Sequence, residues 1–127
     1  MANWCDNYII IDKGLIQKQF NKVKNIIKKR ENNPESDDTI FTIGDMKFKN
    51  GVGTASVDSR WVPPLELLKA LHTYLEPLDV NISCSSYEAE CDIFAQYVNG
   101  DVEYYTSDKI PHWFLRLFGG DLIEEYT

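Results

Sequence analysis

Glu88, Glu90 and Asp92 recur at every second position, so on a β-strand they would share one face. Carboxylates gathered in this way can act as acid and base, or hold a magnesium ion. Nothing around them completes such a site. The sequence has no Ser-His-Asp order, nucleophile elbow, phosphate-binding loop or His-x-His pattern, and His72 and His112 stand apart. The carboxylate row therefore reads as a solvated strand edge, where charge discourages pairing with foreign strands. No enzyme, metal or cofactor is expected.

Cys5, Cys84 and Cys91 are an odd set without a secretion signal, which points to reduced thiols in a cytosol. Cys84 and Cys91 flank an expected turn and could approach each other, but their spacing fits no zinc ribbon or finger. The chain of 127 residues carries a net charge of -7, and the charge is segregated. Lys13, Lys18, Lys22, Lys24, Lys28, Lys29 and Arg30 crowd one early segment. From residue 88 onward Glu88, Glu90, Asp92, Asp101, Glu103, Asp108, Asp121, Glu124 and Glu125 face only Lys109 and Arg116. A basic helix on an acidic body reads either as a solvated helix face with acidic loops that aid solubility or as an oriented field, and the overall sign disfavours general affinity for nucleic acid.

Two binding readings follow from these side chains. In one, Lys18, Lys22, Lys28, Lys29 and Arg30 hold phosphates while Trp4 or Tyr8 stacks a base. The competing role for Trp4 and Trp61 is structural, as lids whose indole N–H finds a backbone acceptor. In the other, Trp113, Phe114, Leu117 and Phe118 form a terminal helix too apolar to face water all round. They would seal an open sheet face, make a homodimer seam or dock a partner. With Asp121, Glu124 and Glu125 following, an apolar anchor with an acidic rim would suit a basic protein surface. A small ligand or nucleotide held between sheet and terminal helix is the remaining alternative.

The positioning elements are legible in the periodicity. Residues 7–11 form an apolar strand, preceded by a polar entry that lacks the basic start and apolar core of a leader. Ile16, Phe20, Val23 and Ile27 lay one stripe along a helix, ended by the loop at residues 32–38. Residues 39–43 resume β character, with 45–49 extending or following them. After the Asn50-Gly51 turn, Ala55, Val57 and Trp61 alternate with polar residues. Pro64 opens a second helix striped by Leu67, Ala70, Leu71 and Tyr74, widened by Leu68 and Leu75 and closed by Pro77. Leu78, Val80, Ile82 and Cys84 then keep a period of two. Strands at 91–98 and 101–106 surround Asn99-Gly100, a hairpin signal.

This order predicts an α+β fold: a ferredoxin-like antiparallel sheet with two helices on one face, an extra hairpin and a short C-terminal helix. Residues 1–127 read as a single domain, with 1–106 as its core and 107–127 as terminal helix and acidic tail. No apolar run approaches the roughly 20 residues that span a bilayer.

Three segments in order carry a family resemblance. "NWCDNYIII" with Gly14 soon after, "ASVDSRWVPP" and "YEAECDIFAQYVNG" together resemble the YubB-like, Api-type family of small ferredoxin-like-domain proteins. Where that family is expected to be richer in glycine after Glu88, this chain has Ala89, Glu90 and Cys91. The resemblance implies a protein of phages, plasmids or related mobile elements, with no catalytic residues to carry over. The expected function is binding a host macromolecule, with inhibition of a CRISPR-type defence nuclease complex as the leading form and nucleic-acid binding as the alternative.

Overall fold

The computed structural model describes residues 4–12, 14–33, 39–88 and 93–118. Its elements are β1 (Trp4–Asp12), α1 (Gln17–Arg30), β2 (Phe41–Lys49), β3 (Val52–Arg60), α2 (Leu65–Leu75), β4 (Asn81–Glu88), β5 (Ile93–Val98), β6 (Asp101–Tyr104) and α3 (His112–Phe118). The six strands form one sheet in the order β2-β3-β1-β4-β5-β6, and every neighbouring pair is antiparallel. β1 and β2 thus run the same way with β3 between them, the split arrangement of the ferredoxin-like fold. The β5–β6 hairpin extends the sheet beyond β4.

Alternation assigns each strand residue to a layer. Ile9, Ile11, Ala55, Val57, Ile82, Cys84 and Tyr97 meet Phe20, Val23 and Ile27 of α1 and Leu67, Leu68, Leu71 and Leu75 of α2 in the main core. Both long helices therefore cover the same sheet face. α3 lies on the other face, where Phe114 and Leu115 bury with Phe94 and Ile110 against Tyr87, Tyr105 and Phe118. The terminal helix seals part of the face that α1 and α2 leave open.

Local chemistry explains where elements begin and end. Asn50-Gly51 and Asn99-Gly100 all adopt positive φ, as tight hairpins demand. Gln19 accepts the Ile16 N–H at 3.1 Å, closing the first turn of α1. Ile16 itself precedes the helix and is exposed, while Leu15 takes the buried place. Residues 41–49 form one continuous strand, its register shifting between Ile43 and Asp45. Trp61 departs from the expected alternation. It lies beyond β3 with φ of 72°, and Ser59 occupies the next inward position after Val57. Leu78 likewise falls in a 3-10 turn, Glu76–Leu78, ahead of β4, and is exposed.

Candidate functional site

Residues directly opposite one another on antiparallel strands point to the same face, so register defines the outer surface of the sheet. Tyr8 faces Ser56 on one side and Ser85 on the other; Ser85 faces Gln96, and Gln96 faces Glu103. One pair along, Asp58 faces Asp6, Asp6 faces Tyr87, and Tyr87 faces Phe94. The outer face thus carries Asp6, Asp58 and Glu103 among hydroxyl, amide and aromatic groups. Asp101, opposite Val98, and Asp12 and Asp45 add further carboxylates toward its edges, while Lys47, Lys49 and Arg60 place three cations on the same face.

α3 borders this surface. A shallow cavity of about 280 Å³ is lined by Asp6, Asn7, Tyr8, Ser56 and Asp58 of the sheet and by Leu117 and Phe118 of the helix. The Asp6 carboxyl is pushed up to about 6 by partial desolvation, then by its hydrogen bond to Asp58 and by repulsion from that neighbour. A hydrogen bond from the protonated form of one carboxyl to the charged form of the other is what such a pair requires. Leu117, 39% exposed, meets solvent beside these carboxylates, and Trp113, 49% exposed, lies one helical turn before it on α3.

The sequence-based candidates divide sharply. Phe114 is fully buried, its ring packed edge-on against Phe94 and Tyr105, so it fastens α3 and offers nothing to a partner. Phe118 is half-buried, 5.5 Å from Tyr87 between ring centroids, and only walls the cavity. Glu88 is 5% exposed because β4 continues through it and alternation turns it to the layer of Cys84 and Ser86. It is neither a solvated edge residue nor an accessible contact. Asp101 and Glu103 are exposed on β6. Glu90, Asp92, Asp121, Glu124 and Glu125 lie outside the described residues, as does Cys91.

Lys18, Lys22, Lys28 and Lys29 are exposed along α1, with Arg30 half-buried at its end. Trp4 belongs to the row of Asp6 and Tyr8, on the face away from α1. The sheet separates the basic helix from the aromatics, so a single site joining those lysines to Trp4 or Tyr8 is not assembled. Asp6 and Asp58 were missed because they lie far apart in sequence; only the register of β1 against β3 brings them together.

The opening motif is structural. Asn7 is buried, and its Nδ2 lies 3.0 Å from the Cys5 carbonyl, 2.9 Å from the Val57 carbonyl and 2.8 Å from Ser59 Oγ. Ser59 Oγ in turn donates to the Val62 carbonyl at 2.6 Å, bracing the turn through Trp61. Burial pushes the thiols of Cys5 and Cys84 up to about 12, leaving both protonated and inert.

Among the described residues no group of three or more His, Cys, Asp or Glu side chains could hold a metal ion. Nor is any described helix long and apolar enough to cross a membrane. No family model matches the chain, and neither the curated proteins nor the solved structures yield a match.

Proposed function

We propose that this protein is a non-enzymatic product of a phage or related mobile element that binds a basic protein of its bacterial host. The target class is a nucleic-acid-handling defence complex, such as a CRISPR-type nuclease, whose phosphate-binding surface the carboxylates would occupy. The observation that carries this reading is the exposed Leu117 beside Asp6 and Asp58 around one cavity. An apolar anchor bordered by carboxylates matches an interface with a desolvated centre, a polar rim and a cationic partner.

Trp113 supplies a second anchor, and Glu103 and Asp101 extend the negative surface toward the β6 edge. Polar and aromatic side chains dominate the outer face, which suits recognition better than chemistry. The mobile-element origin rests on the three sequence segments alone. Association of the purified protein with host nuclease complexes, measured at low and high salt, tests the proposal. Binding that weakens as salt rises supports charge-led docking; no association, or association indifferent to salt, overturns it.

A further inference from the structure

A groove of about 720 Å³ lies between α1 and α2, on the opposite side of the molecule from the acidic sheet face. Helical spacing builds its walls. Lys22, Ile26 and Lys29 follow one another on α1, and Glu66, Lys69, Ala70 and Thr73 do so on α2. Arg30 and Tyr74 complete the lining. Lys22, Lys29, Arg30 and Lys69 thus share a concave surface with a single carboxylate, Glu66, on a chain whose net charge is -7.

Like charges around one opening repel, and a multiply charged anion relieves that repulsion. The floor has a different character. Ile26 and Tyr74 are half-buried and packed against the main core, and Ala70 adds an apolar patch between them. Cationic walls over an apolar, aromatic floor suit a ligand with clustered phosphates and a flat ring. The groove's size falls among those of small-molecule sites. We propose that it binds a nucleoside polyphosphate, with Lys22, Lys29 and Lys69 on the phosphates and the base against Ile26, Ala70 and Tyr74. This site is independent of the acidic face.

Titration of the isotopically labelled full chain with ATP, followed by NMR amide shifts, tests the assignment. The expected shifts map to the α1 and α2 residues of the groove. Replacing both Lys22 and Lys69 with Ala weakens ATP about tenfold or more, as lost charge-assisted hydrogen bonds require. Both side chains are exposed, so the fold survives. Glu66→Gln tightens binding by removing the opposing carboxylate. Tyr74→Leu weakens ATP while leaving inorganic tripolyphosphate unchanged. Absence of ATP-dependent shifts, or shifts that persist in the double lysine variant, would overturn the site. Equal affinity for tripolyphosphate and ATP would overturn the nucleoside assignment. So would tighter binding of polyglutamate or of a short oligothymidylate through the same residues.

Discussion

Asp6 and Asp58 face each other across the β1–β3 ladder, and the Asp6 carboxyl holds its proton up to about pH 6. The native state therefore binds this proton more tightly than the unfolded chain does. Its contribution to stability is full below the ordinary carboxyl value and is lost as pH rises through about 6. Asp58→Asn removes the repulsion while keeping the shape. Near pH ~7.5 that variant should melt about 3 °C higher than the parent, a modest gain because both side chains reach solvent. Near pH ~4 the difference should shrink. Thermal melts of parent and variant at the two pH values measure it.

The Asn7 amide is a donor to carbonyls of two strands and to Ser59, and no apolar side chain replaces it without leaving buried acceptors unmet. Asn7→Ala should cost about 2 kcal/mol. Asn7→Asp, equal in size, should cost about 3 kcal/mol or more, because it aims carboxylate oxygens at carbonyls in a buried site. Urea denaturation of both variants gives the comparison. A smaller cost for Asp than for Ala would contradict the donor role.

Gly53 occupies a strand position where a side chain has no room. An added Cβ would lie 2.7 Å from Phe20 Cδ1 and 3.1 Å from Leu15 Cδ2, and the Phe20 ring is stacked on Phe48 at 5.2 Å. Gly53→Ala should therefore cost about 1–3 kcal/mol through displacement of α1, despite the better strand propensity of alanine. A shifted urea midpoint at constant slope is the expected signature.

Periodicity carried most of the fold. The stripe Phe20, Val23, Ile27 and the pairs Asn50-Gly51 and Asn99-Gly100 act through neighbours a few residues away, so they are readable along the chain. Trp61 was misread because its hydrophobicity fits an inward strand position, whereas the backbone turns left-handed there ahead of Pro63-Pro64. Glu88 was misread because a carboxylate near a turn looks solvated, and only the length of β4 buries it. The α3 residues Trp113 and Phe114 are adjacent and equally apolar. Their opposite fates, exposed and buried, depend on Phe94 and Tyr105, which lie outside the helix. The Asp6–Asp58 pair and the α1–α2 groove arise from tertiary register, which a linear pattern does not encode.

The most direct measurement of the proposed function is retention of host nuclease complexes on immobilised protein, comparing the parent with Asp6→Asn/Asp58→Asn and with Trp113→Ala. All three should fold alike by circular dichroism, because the changed side chains are exposed. The account predicts a complex held by the parent, released by salt, and held at least about tenfold more weakly by each variant. A complex retained equally by all three, or none retained by the parent, would contradict it.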